Sequence, residues 1–239
     1  MAGKHDQIAG SLIQDILSGR YQAQDRLPSE RDLSTRFDAN RGAVREALKK
    51  LEFLGFIEIQ PGGARVNERS QASLDALGHM LEQGDLPDPV LVDQTLLVIS
   101  NLVSMAAEQT LELADTEELE SIRKLLQPLL DEQCDEERHL LARIELTRTI
   151  LLTSNNLPLQ MIARSLSEQL IPNLSLVAPY ADTDRAAYAS FARNLDRAIE
   201  QKDAELLRST FSQLSNLNRQ TVMQAIDAAA RANVGIQQS

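Results

Sequence analysis

Only one stretch of the chain reads as a pair of strands. Phe56-Ile-Glu-Ile-Gln60 and Ala64-Arg-Val66 flank Pro61-Gly62-Gly63, and a glycine turn between two short β-prone runs is the signal of a hairpin. Elsewhere the apolar residues recur at helical spacing nearly to the end, so the chain is held to a mainly α fold with one small β-hairpin.

What precedes the hairpin is short and helical. Ile8, Leu12, Ile13, Ile16 and Leu17 predict a helix over Asp6 to Leu17, with Gly19 as its stop. After a turn at Pro28, Ser29 and Asp32 form a capping arrangement for a second helix to about Phe37. Asn40 caps a third, whose apolar face is Val44, Leu48 and Leu51 and whose end is set by Gly55. Helix, helix, helix, hairpin is the order of a winged helix-turn-helix. The polar segment Asn67 to Gln71 reads as a linker, which gives domains 1–69 and 70–239. The second predicts as an antiparallel α-helical bundle, with candidate helices Ser73 to Glu82, Val90 to Leu113, Thr116 to Leu130, Glu136 to Thr153, Leu159 to Leu176, Asp182 to Gln201 and Ala204 to Ala232. Pro172 is expected to kink or interrupt the fifth, and residues 233–239 to form a frayed tail.

Charge becomes informative once it is split. The formal net charge is -11, yet residues 1–69 carry 11 basic against 10 acidic residues, and residues 70–239 carry 13 against 25. Any contact with a polyanion belongs to the first part. No apolar run approaches the ~20 residues of a membrane helix, and MAGKHDQIAG lacks a secretory apolar core, so the expected location is cytoplasmic with no membrane partner. The single cysteine, Cys134, sits beside Asp135, Glu136 and Glu137, which oppose thiolate formation. No phosphate loop, HExxH, GxSxG or Cys-His context is present, which argues against an enzyme.

Arg41, Arg45 and Lys49 fall on one side of the third helix, opposite its apolar face. Small Gly42 and Ala43 at its start allow close approach of backbone to a surface. Such a helix can enter a major groove by its N-terminus, where a guanidinium donates two hydrogen bonds to guanine. The stripe alone is also what a solvated helix face looks like. Its setting favours DNA, because Arg31 and Arg36 lie on the preceding helix and Gly62, Gly63 and Arg65 at the hairpin tip.

The run LPSERDLSTRFDANRGAVREALKKLEFLGFIEIQPGGARV, Leu27 to Val66, resembles the winged-helix domain of GntR-type bacterial transcription regulators. The resemblance implies a double-stranded DNA partner contacted by Arg31, Arg41, Arg45 and Gly62, with Asn40, Gly42 and Ala43 at further contact positions and Lys49 and Gly63 alongside. Asn, Gly and Ala stand where Ser or Thr is frequent in that family.

An all-helical domain after such a head resembles the FadR subgroup. That implies a homodimer reading an inverted-repeat operator, usually as a repressor, under a small-molecule effector such as a carboxylate or fatty acyl-CoA. Many members of the subgroup hold a divalent metal with Asp and His. In RIELTRTILLTSNN, Arg143 and Thr147 fall where the Asp and first His would be, and the later positions fall near Ala192 and Leu214. The chain has only His5, His79 and His139, so neither a metal nor another cofactor is expected. His139 reads as an exposed helix residue. Arg143 could hold an anionic effector directly or pair with Glu145 or Glu137, and Thr147, Asn101 and Ser104 are candidate polar lining. The competing reading is a helical small-molecule-binding or interaction protein whose head does not function on DNA.

Overall fold

Helix α1 (Lys4–Leu17) places Ile8, Ala9, Leu12 and Ile13 on one side, and all four are buried in the computed structural model. The model describes residues 3–82 and 84–237, and only the backbone of 234–237. Helix α2 (Glu30–Arg36) starts where the Ser29 hydroxyl accepts from the Asp32 amide. Helix α3 (Arg41–Phe53) starts where Asn40 Oδ1 accepts from the Ala43 amide at 2.8 Å. Each cap satisfies an amide that the first turn leaves without a helical partner. Val44, Ala47, Leu48 and Leu51 turn the inner face of α3 against α1, and Lys50 Nζ reaches Asp6 at 2.8 Å to tie the two helices.

Strands β1 (Ile57–Gln60) and β2 (Gly63–Val66) pair antiparallel in the register Ile57 with Val66 and Gln60 with Gly63. Gly62 and Gly63 make the turn at φ 113° and 131°, a region closed to most side chains. On the other edge of β2, Arg26 bridges to Arg65, and the Leu27 amide donates to the Ala64 carbonyl, so the segment before α2 backs the hairpin.

The chain divides into two compact units, Met1–Asp85 and Leu86–Ser239. The division therefore lies later than the expected one after residue 69. Asn67 to Gln71 is not a free linker: Arg69–Gln71 forms a 3₁₀ turn, the Ser73 amide donates to Leu54 O, and Ala76 is sealed in the core of the first unit. The helix predicted from Ser73 to Glu82 is a 3₁₀ turn, Leu74–Ala76, followed by a short α4 (Leu77–Leu81).

The second unit contains α5 (Pro89–Leu113), α6 (Thr116–Leu125), α7 (Gln127–Leu130), α8 (Glu136–Thr153), α9 (Leu157–Leu174), α10 (Arg185–Gln201) and α11 (Ala204–Gln237). The single helix predicted from Thr116 to Leu130 breaks at Leu126, because Pro128 has no amide to continue the ladder. Pro172 does not interrupt α9 but stays inside it, two residues from its end, where the missing amide costs one bond of the last turn. Of the tail expected to fray over 233–239, the part to Gln237 is helical and belongs to α11, and 238–239 lie outside the described residues. Ala106, Ala107, Ile122, Leu126, Leu146, Ile150, Leu195, Leu207 and Phe211 meet in one core.

Helix α5 overturns one expectation. It is long enough, and apolar enough with a window of mean hydropathy 1.6, to cross a membrane, since no charge lies between Asp93 and Glu108. Here it is the packing axis of the second unit and touches α8, α9 and α11. Val92, Val103, Ala106 and Ala107 face inward, and Val90, Leu97, Val98 and Met105 form an exposed apolar stripe.

Candidate nucleic-acid interface and an interhelical cavity

The outer side of α3 carries Arg41, Arg45 and Lys49, all exposed, with Gly42 also exposed and Ala43 half-buried. Among the described residues the Arg41 and Arg31 guanidinium groups have no hydrogen-bond partner, and both residues are exposed. Arg45 Nε donates to both carboxylate oxygens of Glu30, at 3.1 and 2.9 Å, and Lys49 pairs with Glu46 at 3.0 Å. Such exposed pairs are worth only ~0–1 kcal/mol, so either cation exchanges its partner for a phosphate or base at little cost.

Two of the nominated residues have a structural duty as well. The acceptor of Asn40 is spent on the helix cap, which leaves its amide as a donor. A Cβ on Gly42 would come within 3.2 Å of that same Asn40 oxygen, so glycine here keeps the cap undisturbed. Arg36, by contrast, is held within its own unit while remaining exposed. Its Nη1 binds Asp15 at 2.5 Å and its guanidinium lies 4.7 Å above the Phe37 ring. Partial burial opposes ionisation of Asp15, but hydrogen bonds from Arg36 and Arg20 outweigh it and hold the carboxyl below its ordinary range.

Gly62 and Gly63 form the exposed tip of the hairpin, as expected of a wing. A residue that the sequence pattern did not single out joins them. The Arg26 side chain lies where a Cβ on Gly63 would meet its Nε at 2.8 Å, and it is exposed. Its neighbour in the bridge, Arg65, donates to Gln24 O at 2.9 Å. Arg26 lies outside both the stripe and the hairpin in sequence; only the pairing of 24–27 with β2 brings it to the tip.

A second concave feature lies in the helical unit. Residues of α5, α8, α9, α10 and α11 line a half-open cavity of about 1210 Å³. Arg143 and Thr147 both line it; Asn101 and Ser104 do not. Asn101 is exposed and donates to Leu97 O within its own helix. Ala192 and Leu214, the positions of the later ligands in the metal-binding pattern, are absorbed in and against the core. Among the described residues no three His, Cys, Asp or Glu side chains gather as a cation site.

Arg143 pairs with none of the acids expected of it. Its Nη1 donates to Tyr188 Oη at 2.9 Å, its guanidinium stacks 4.8 Å from the Tyr188 ring, and Tyr188 donates in turn to Asn218 Oδ1. Arg143 Nε is shut from water and has no acceptor. His139 is likewise not the exposed residue expected. It is fully buried, edge-on to Tyr188 with ring centroids 5.1 Å apart, and neither ring nitrogen has a partner. Burial first, and then the charges of Arg185 and Arg143, push its pKa down to about 4, so the ring is neutral at pH 7.

Comparison with known proteins matches these features. Residues 4–66 match the model of the bacterial regulatory proteins of the gntR family. The Uxu operon regulator of Haemophilus influenzae is 35% identical over 108 residues, which are 44% of this chain and 39% of that protein. The Exu regulon transcriptional regulator of Escherichia coli is 30% identical over 106 residues, 44% of this chain and 41% of that protein. The match thus spans less than half the length of either relative. An uncharacterised HTH-type transcriptional regulator of Bacillus subtilis, YcbG, is 25% identical over 204 residues, 82% of this chain and 80% of that one. Among solved structures, Lar, which controls expression of the Listeria monocytogenes agr system, covers 94% of this chain with a TM-score of 0.55 at 15% identity, a likeness of fold. The matched segment coincides with the three helices and the hairpin, so residues 4–66 form a helix-turn-helix head of the gntR type.

Proposed function

We propose that this regulator binds a short inverted-repeat operator as a homodimer, acts as a repressor, and takes an organic acid or acyl-CoA effector in its helical unit. The observation that carries the DNA half is the exposed stripe of Arg41, Arg45 and Lys49 on a helix whose other face is buried. Arg31 and the tip of the hairpin supply phosphate and minor-groove contacts beside it. The exposed stripe of Val90, Leu97, Val98 and Met105 on α5 supports a second copy as the dimer partner, since a large apolar stripe on a soluble chain marks an interaction surface. The cavity beside Arg143 supports the effector half. DNA as target implies the cytoplasm, and no cofactor, metal or catalytic step is invoked. The Uxu and Exu regulators match less than half of this chain, so their names say nothing of what the cavity holds.

The test is a gel shift on operator fragments enriched from random DNA by the purified protein. Arg41→Ala and Arg45→Ala are each expected to weaken binding by about 5- to 150-fold, the equivalent of roughly 1–3 kcal/mol per bidentate contact, with circular dichroism unchanged. Affinity should also fall steeply with salt. Retention of wild-type affinity by both variants would overturn the reading.

A further inference from the structure

Resting on the reading of the head as DNA-binding, we infer that Arg26, which lies outside both α3 and the hairpin, is the side chain with which the wing reads a minor groove, and that it selects A·T-rich steps there. The wing is wider than its two strands. Residues 24–27 run antiparallel along the free edge of β2: the Gln24 amide donates to Val66 O at 2.8 Å, the Val66 amide to Asp25 O at 2.9 Å and the Leu27 amide to Ala64 O at 2.9 Å. Alternation along this added segment buries Leu27 and leaves Arg26 on the outer face.

The turn itself, Pro61-Gly62-Gly63, has no side-chain hydrogen-bonding group, and Gln60 before it spends its amide N–H on Glu58 at 2.7 Å. A Cβ on Gly62 would meet open space. Gly63 is different: a Cβ there would strike Arg26 Nε at 2.8 Å, Nη2 at 3.1 Å and Cζ at 3.3 Å, so the guanidinium lies against the glycine in the place a side chain would take. Arg26 bridges Arg65, and Gly63 lies two residues from Arg65 on the same face, diagonally across from Arg26. The bare turn thus borrows a cation from the segment that precedes α2. A glycine tip fits a groove about 6 Å wide, and a guanidinium carried into it meets the A N3 and T O2 acceptors where no G N2 amino group stands in the way.

Charge points to the same ligand. Arg26 and Arg65 stand directly opposite each other, an arrangement that by itself is destabilising. Neither nearby acid is bonded to Arg26: Glu58, opposite Arg65 on β1, holds Gln60, and Asp25 accepts from the Gln22 amide at 2.8 Å. Arg65 spends Nη1 on Gln24 O at 2.9 Å and so pins the added segment, whereas Arg26 has no acceptor among the described residues. Narrow A·T minor grooves carry the enhanced negative potential that draws arginine, and a planar guanidinium sheds its water more readily than an ammonium.

Fluorescence anisotropy of the full chain on its enriched operator tests this, with each base pair replaced in turn by G·C or by I·C. Inosine lacks the 2-amino group, so the two differ in the minor groove and present the same N7 and O6 in the major groove. At the pairs the wing reaches, wild type is expected to bind I·C at least about fivefold more tightly than G·C. Arg26→Ala should bring that ratio to within about twofold and lower the salt slope by about 1. Arg26→Lys should lose the ratio while keeping the slope. Both variants should melt as wild type does, since the side chain is exposed. A ratio near one at every pair in wild type would overturn the inference, and so would a ratio that survives in Arg26→Ala, even with weaker binding, because Arg26 would then touch phosphate only. Arg41→Ala and Arg45→Ala separate the two levels. If they weaken binding while the Arg26 variants keep the ratio, the DNA reading stands and the inference fails; if wild type selects no operator, or both bind it as tightly as wild type, the two fail together.

Discussion

At the scale of single residues, His139 ties stability to pH. Its ordinary pKa of 6.5 falls to about 4 in the folded state, so between those values the unfolded chain binds a proton that the folded chain refuses. Stability therefore rises with pH through that window; seen from neutrality, it declines below pH 6.5 and the loss levels off near pH 4. The full shift corresponds to about 3 kcal/mol. His139→Leu should flatten the denaturant-derived unfolding free energy between pH 6.5 and 4 relative to wild type, and an unchanged slope would contradict the buried neutral ring. The sequence misplaced this residue for a physical reason. Helix α8 has apolar residues on several sides, and the face it buries is His139, Ala142, Leu146 and Ile150, while Leu140, Leu141 and Ile144 stay exposed. Hydrophobic pattern alone selects the larger side chains, and here the tertiary packing selects the others. Arg143 was legible as a candidate because it replaces an acid in a known pattern, but its partner, Tyr188, lies on another helix and left no trace in spacing.

At the scale of elements, α3 separates stability from recognition. Asn40 caps the helix through Oδ1 and stands at a position proposed to contact DNA, so two substitutions split the roles. Asn40→Ala should lower stability by about 1 kcal/mol, measured by chemical denaturation. Asn40→Asp keeps an acceptor for the Ala43 amide and should hold stability near wild type, yet reduce DNA affinity by placing a carboxylate among phosphates. Equal stability of both variants would remove the cap argument. The elements of the head were readable because each terminus carries its own chemistry: Ser29 and Asn40 at starts, Gly55 at a stop, Gly62 and Gly63 at the turn. Where boundary chemistry was weak, the reading slipped. Nothing in Asn67 to Glu82 announces that it folds back on α3, and the break at Leu126 depends on a proline two residues later.

At the scale of the whole molecule, the later division alters the charge balance. Met1–Asp85 holds 11 basic and 13 acidic residues, and Leu86–Ser239 holds 13 and 22, so neither unit is net positive. On the proposed function, attraction to DNA is a local property of one helix face and one hairpin tip, set within an acidic whole and felt only at close range. The segment that follows the hairpin has a consequence of its own. Gly55, at φ 76°, lies against it so closely that a Cβ there would meet Gln71 O at 2.6 Å, and Ala76 and Leu81 beyond it are fully buried. The piece to be moved in a domain transplant is therefore 1–85, not the 4–66 that family likeness delimits. A chimaera joined after Val66 should express as an aggregating or partly melted graft, whereas one joined after Asp85 should give a sharp unfolding transition by circular dichroism; the same outcome from both junctions would show the trailing segment to be dispensable.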